Sequence, residues 1–233
     1  MDEVGGTMKL KCIGSSSDGN CYVLENDTEA LVIEAGLPFK EVEKTLDFNI
    51  SKIACVIASH SHKDHSKYLH EYERAGINTF KPYELEVHKQ TRKYGGFTIH
   101  SFEVEHDVIC VGYLIEHKDI GRLVFVTDTE YVKYCFAKQK PNHIMIESNY
   151  SKELLSDDPT KREHVLTGHM EINTACEFIK KNHTVHLKNV VLLHLSDSSG
   201  DAELFKAKAS EVARCNVYVA KKGIEVNLDL IPF

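Results

Sequence analysis

The apolar residues of the chain fall into short runs bounded by polar ones, and these runs predict a mixed succession of strands and helices. Three strands come first, in MKLKCIG, CYVLEN and ALVIEAG, followed by a short helix after Pro38 in FKEVEKTLDF. KIACVIAS is a continuous apolar run and predicts a strand buried on both faces. SKYLHEYERAG predicts a helix that stops at Gly76. FTIHSFEV, CVGYLIEHK and RLVFVTD predict strands, YVKYCFAKQK a helix ending at Pro141, and HIMIES another strand. NTACEFIKKN predicts a helix with Asn173 as its N-cap. NVVLLHL then predicts a strand, DAELFKAKAS a helix and NVYVAKKGIEVNL a closing hairpin. Strands and helices mix without strict β-α-β alternation, so the expectation is an α/β (α+β) fold of two mixed sheets covered by helices. It should form one domain over residues 8–233. The first seven residues are small and acidic, and are expected to be an N-terminal extension or cloning scar ahead of Met8.

Composition narrows the class. At 233 residues with 42% hydrophobic and 27% charged, the chain can bury a full core. No apolar run approaches the ~20 residues of a membrane helix. The N-terminus has no apolar core after a basic start, so no secretory signal is expected. The seven cysteines are scattered and none falls in a C-x-x-C, which predicts a reducing cytoplasm rather than a disulfide scaffold. A net charge of −7 argues against coating nucleic acid through bulk charge, while leaving room for a local basic site. Fourteen histidines are many for this length and are the first hint of metal.

The polar residues at strand ends sharpen that hint. VIASHSHKDHSKYL crowds His60, His62, Asp64 and His65 directly behind an apolar run. Imidazole and carboxylate suit zinc, manganese or iron. Ligands two apart reach one ion from extended backbone, and a turn then lets Asp64 and His65 face a second. The alternative is a polar turn with surface histidines, but a chance match of this pattern is expected at only roughly three in a thousand. Four side chains cannot fill two coordination spheres. The ends of three further strands supply the shortfall with His106, Asp128 and His194.

These residues resemble the metallo-β-lactamase superfamily, and within it the bacterial YycJ/WalJ-type branch of exonuclease-like proteins. SHSHKDH matches the signature loop, and GSSSDGN (Gly14 to Asn20) matches the glycine-serine loop that opens the branch. EAG (Glu34 to Gly36) stands where the family has Asp-Ala-Gly. EHD, TDT and LLHLS match the later ligand strands, with ESN and GH between them. The resemblance implies a four-layer αββα sandwich and two divalent ions: zinc or manganese, with iron as a further candidate. It assigns His60, His62 and His106 to one ion, and Asp64, His65 and His194 to the other. Asp128 bridges them, and Glu34 and Glu147 stand behind the ligands. Two such ions hold a hydroxide nucleophile and clamp a phosphoryl oxygen. Some positions depart from the branch: Glu34 replaces aspartate, GHMEIN lacks a serine, DSSGD replaces an Asn-Asn pair after His194, and Tyr150 stands where histidine is common.

Within the superfamily, the sequence favours phosphodiester hydrolysis. His62 stands where oxygen-reducing members carry glutamate. Asp128 stands where the best-known lactamases carry cysteine. Only 39 residues follow His194, too few for the helical substrate domain of glyoxalase-type thioesterases. The expectation is a dimetal DNA exonuclease in which His169 protonates the leaving oxygen and Asp64 is indispensable to catalysis. Lys161 and Arg162 are either a phosphate clamp or a solvated loop. GSSSDGN either presents N–H groups and hydroxyls to the centre or is a tight turn. The alternatives are a metallo-hydrolase of a small nucleotide or other ester, and a metal-bound regulatory or binding protein with little turnover. The expected partner is nucleic acid, DNA first, with no membrane.

Overall fold

The computed structural model describes residues 7–155, 168–196 and 199–230. The chain opens with β1 (Lys9–Gly14), β2 (Cys21–Glu25) and β3 (Ala30–Ile33), then adds β4 (Ile53–Ile57) and β5 (Thr79–Phe80). With β13 (Glu225–Asn227) from the far end of the chain, these form a six-stranded sheet in the order β13-β1-β2-β3-β4-β5. The middle of the chain supplies β6 (Thr91–Tyr94), β7 (Phe97–Val104), β8 (Cys110–His117) and β9 (Gly121–Val126). They join β10 (His143–Glu147), β11 (Asn189–Leu193) and β12 (Asn216–Val219) in a seven-stranded sheet, ordered β12-β11-β10-β9-β8-β7-β6.

Side-chain alternation fixes how the sheets stack. In β10, Met145 points into the core shared by the two sheets, where it joins Leu24, Ile57, Phe125 and Leu193. Its neighbours Ile144 and Ile146 point the other way. There they pack under two helices, α4 (Ile172–Asn182) and α5 (Ala202–Ala213), through Ile179 and Phe205. The outer face of the first sheet does the same with Val32 and Val56. These are covered by Val42 of α1 (Phe39–Thr45) and Tyr72 of α3 (Leu69–Arg74). Every residue of β10 and β11 is buried, which is why they read as unbroken apolar runs rather than alternating ones. The result is the expected αββα layering. All seven cysteines are free, and no helix among the described residues is long and apolar enough to cross a membrane.

Strand direction then places the site. Strands β9 to β12 are parallel, and β7 runs the same way as β9 because both are antiparallel to β8. In the first sheet β3 and β4 are parallel. The carboxyl ends of β7, β9, β10 and β11 therefore share one edge of the second sheet, facing those of β3 and β4.

Three local expectations are corrected. Residues 131–136 form no helix, and the only turn of helix in YVKYCFAKQK is a short 3-10 segment at Ala137–Gln139. Val132, Tyr134 and Phe136 pack against the outer core at every second position, a strand-like period. The Phe136 N–H is also held by Asn182 Oδ1. The closing hairpin does not form, because β12 pairs parallel with β11 while β13 crosses to the other sheet and pairs with β1. Gly223 turns the chain between them at φ +87° and donates to Cys12 O. The cap of α4 is Glu171, whose carboxylate accepts from Asn173 N, so Asn173 already lies inside the helix.

Candidate metal centre

β4 leaves the first sheet at Ile57, and Ala58 and Ser59 carry it to His60, which is wholly buried. His62 is the N-cap residue of a one-turn helix, α2 (Lys63–Ser66), which contains Asp64 and His65. Extended backbone at His62 (φ −61°, ψ 147°) followed by helix separates the first pair of side chains from the second. From the second sheet, His106 follows β7, Asp128 follows β9, Glu147 ends β10 and His194 follows β11.

The structure brings these residues together in three overlapping groups, in each of which the donor atoms lie within 4.8 Å of one another. One is His60, His62, His106 and Asp128. Another is Asp64, His65 and His194. The third is Asp128, Glu147, His169 and His194. Asp128 joins them: its Oδ2 lies 3.4 Å from His60 Nε2 and 2.9 Å from His65 Nε2, and its Oδ1 lies 2.9 Å from His194 Nδ1. His65 Nε2 also lies 3.0 Å from Asp64 Oδ2, and His106 Nε2 3.3 Å from His62 Nδ1.

Groups behind these donors hold them. The Ser59 hydroxyl hydrogen-bonds His60 Nδ1 at 2.8 Å. Glu34 accepts from Ser59 N at 3.1 Å and stands 3.4 Å from His65 Nδ1, so its longer side chain still spans to the histidine that a family aspartate would face. Asn149 Nδ2 donates to His194 O. Gly36 packs against the Asp64 carbonyl so closely that a Cβ there would collide with it. Glu34, Asp128 and His194 all sit in left-handed backbone, at φ +65°, +48° and +53°. Such conformations cost on the order of 1–3 kcal/mol each and persist where the surroundings over-determine them. Asn20 was missed by sequence reasoning. It ends the GSSSDGN loop, and its Nδ2 lies 3.0 Å from His65 Nε2 and 3.3 Å from Asp64 Oδ2.

The charge states follow from burial against neighbours. Burial pushes His60 down to about 2, aided by nearby His65 and opposed by Asp128. His65 is equally buried, yet Asp128 and Glu34 outweigh that and lift it well above the ordinary value. Burial also opposes the charged form of His194, but Asp128 and Glu147 raise it to about 10. Burial alone would raise Asp128; His65 and His194 instead hold it well below the usual carboxylate range. Glu34 is raised, chiefly by burial.

The donor set can hold divalent metal ions. His60 Nε2 and His106 Nδ1 are buried with no hydrogen-bond partner among the described residues. The rings of His62, His65 and His106 gather within 4.9 Å of the His60 ring, centroid to centroid. Such a cluster of imidazoles around two buried carboxylates, Asp128 and Glu147, suits zinc, manganese or iron in donor type.

His169 comes to the same edge but not to the strand-end set alone. Its Nδ1 lies 2.7 Å from Glu147 Oε1, and its ring is 5.4 Å from that of His194. Burial would lower its pKa, and the Glu147 carboxylate beside it raises it instead. Lys161 and Arg162 lie outside the described residues.

Comparison with known proteins agrees with this architecture. Residues 16–102 match the family model of the metallo-beta-lactamase superfamily. The chain is 25% identical over 241 aligned residues to exodeoxyribonuclease WalJ of Streptococcus pneumoniae serotype 2, covering 88% of this chain and 87% of that one. It is 24% identical over 249 residues to exodeoxyribonuclease YycJ of Bacillus anthracis, covering 94% of both. The fold superposes on the metallo-beta-lactamase fold protein YhfI of Bacillus subtilis with a TM-score of 0.72 at 19% identity, covering 95% of this chain and 99% of that one.

Proposed function

We propose that this chain, which belongs to the metallo-β-lactamase superfamily, is a dimetal phosphodiesterase that degrades DNA from an end. The observation that carries the reading is Asp128, whose two oxygens reach histidines of both donor sets, at 3.4 Å from His60 and 2.9 Å from His65 and His194. His60, His62, His106 and Asp128 would hold one ion; Asp64, His65, His194 and Asp128 the other. Zinc or manganese fits these donors, with iron as a further candidate. When bound, such ions supply Lewis-acid polarisation of the phosphoryl group and a water nucleophile at neutral pH. The names of the bacterial relatives favour DNA as the substrate.

The protein's own groups then have distinct tasks. Ser59 fixes the ring of His60, the Glu34 carboxylate faces His65 Nδ1 at 3.4 Å, and the Asn149 amide fixes the backbone at His194. Glu147 takes Nδ1 of His169, which leaves Nε2 to give a proton to the departing oxygen. Lys161 and Arg162 bind substrate phosphate in this reading.

The test is an assay of metal-reconstituted protein on end-labelled single- and double-stranded DNA, RNA and cyclic dinucleotides. Stepwise release of mononucleotides from a DNA end is the expected result. Internal fragments would make the protein an endonuclease, and intact DNA alongside cleaved RNA or cyclic dinucleotide would move the substrate class. Failure to cleave any phosphodiester at two bound ions per chain would overturn the reading.

A further inference from the structure

Beside the metal centre, on the far side of the glycine-serine loop, lies a cleft of about 730 Å³. That volume is in the range of sites that take a ligand of nucleotide size. One wall is the loop itself, through Ser15 and Ser16; the other is the first turns of α5, through Lys206. The floor is the end of β12 and the crossover that follows, with Tyr218, Lys221 and Lys222.

The loop divides this cleft from the metal donors and touches both. Asn20, at its end, reaches Asp64 and His65. Ser15, at its start, lines the cleft and accepts from His194 N at 2.9 Å. Leu195, the residue after His194, also lines it. The loop therefore joins this cleft to the donor cluster at both of its ends.

Its chemistry is that of a phosphate chain. The chain as a whole carries −7, yet the lining holds three lysines, Lys206, Lys221 and Lys222, against two carboxylates, Asp18 and Glu203. The three lysines are exposed, and none has an ion-pair partner among the described residues. Tyr218, half-buried against the core between the sheets, also lines the cleft. Unpaired cations that follow a backbone, together with an aromatic side chain on which a base can stack, are how single strands are bound without sequence preference.

We infer that this cleft is the track of a single-stranded polynucleotide, and that Lys206, Lys221 and Lys222 bind the phosphates next to the one cleaved. The inference rests on the phosphodiesterase reading for its direction, but binding tests it separately from cleavage. The probe is a fluorescein-labelled single-stranded DNA oligonucleotide, whose anisotropy is followed with the metal-reconstituted protein over a range of salt. Three lost phosphate contacts should reduce the slope of log K against log salt by about 2 in the triple variant K206A/K221A/K222A. The charge-matched control K89A/K138A/K180A removes three exposed lysines elsewhere and should keep the slope. The cleft variant should raise KM for the oligonucleotide and leave hydrolysis of a nitrophenyl phosphodiester, too small to enter the track, unchanged. Equal slopes in the two triple variants, or no binding of the oligonucleotide by the unaltered protein, would overturn the inference. Lysine-dependent binding without cleavage would uphold the track and sink the nuclease reading instead.

Discussion

From the first sheet, a single strand end delivers four donors, His60, His62, Asp64 and His65, within six consecutive residues. From the second, three strands deliver one each, His106, Asp128 and His194, from ends spread over nearly ninety residues, and Glu147 closes a fourth strand behind them. The local set is shaped by a turn of backbone, extended at His62 and helical from Lys63. The dispersed set is shaped by register, because a one-residue slip of β9 or β11 would turn the donor to the opposite face of the sheet. Each dispersed donor stands alone at its strand end, and Asp128 reaches histidines of both donor sets.

The comparison breaks most directly at Asp128. Asp128→Ala should lower bound metal from two ions per chain to one or fewer, and should lose roughly 10⁴-fold or more in kcat, several kcal/mol of transition-state stabilisation. Elemental analysis and turnover on the same preparation check both. Two ions retained in that variant would remove Asp128 from its central place. Asp64→Ala should abolish hydrolysis too, but with a gentler effect on metal. Its carboxylate touches His65 and Asn20, while His60, His62 and His106 keep their own set, so about one ion per chain should remain and the fold should persist. If Asp64→Ala strips both ions, the two donor groups do not bind independently.

Much of this contrast was legible in the sequence, and its physical limits are specific. The four-donor loop shows itself because its residues are adjacent. The dispersed donors show because each follows an apolar run of strand length, which marks where a buried strand surfaces. What the sequence could not display is backbone conformation. Nothing in EAG, TDT or LLHLS indicates that Glu34, Asp128 and His194 are held left-handed, since that is imposed by the packed surroundings. Asn20 was hidden in a loop whose composition equally suits a tight turn. Between Tyr131 and Phe136 the apolar residues Val132, Tyr134 and Phe136 recur at every second position, the period of a strand rather than of a helix. The parting of β12 from β13 across two sheets is a long-range choice that a turn with Lys-Lys-Gly does not reveal.

His169 belongs to neither set by sequence, and its role sharpens the comparison. As the proton donor, His169→Ala should keep both ions and lose roughly 10²–10⁴-fold in kcat on DNA. A nitrophenyl phosphodiester, whose leaving group needs little protonation, should be affected much less. The grouping of His169 with Asp128, Glu147 and His194 offers a competing outcome. Loss of an ion in the variant, or equal slowing of both substrates, would make His169 a fourth dispersed donor rather than an acid. A smaller effect is expected at Glu34→Gln, which keeps the length of the side chain and removes its charge beside His65. Metal affinity should weaken by about 10–100-fold, the usual effect of altering a group that orients a ligand. Titration with a chelator competitor reads it, and unchanged affinity would show that Glu34 serves the fold alone.

The smallest effect on catalysis is expected from the other end of β10, and it isolates what a strand end contributes. Glu147 closes that strand at the donor cluster; His143 opens it at the opposite edge, only 1% exposed. There it meets no carboxylate cluster: Asn189 Nδ2 donates to its Nδ1 at 3.1 Å. Burial pushes its pKa down to about 3 from the ordinary 6.5. The unfolded chain therefore takes up a proton that the folded one refuses. The stabilisation is fully present above pH 6.5 and is lost as the pH falls from there toward 3, with a slope of at most about 1.4 kcal/mol per pH unit. In His143→Gln that slope should be absent, so urea midpoints of the two proteins should converge as the pH is lowered from 6.5 to 4.5. Turnover of the nitrophenyl substrate at pH 7.5 should be the same in both. A parallel decline in both midpoints would show that His143 is not held neutral by burial. A loss of turnover would mean that the two ends of β10 are coupled, and that the division between an edge that binds and an edge that merely packs does not hold.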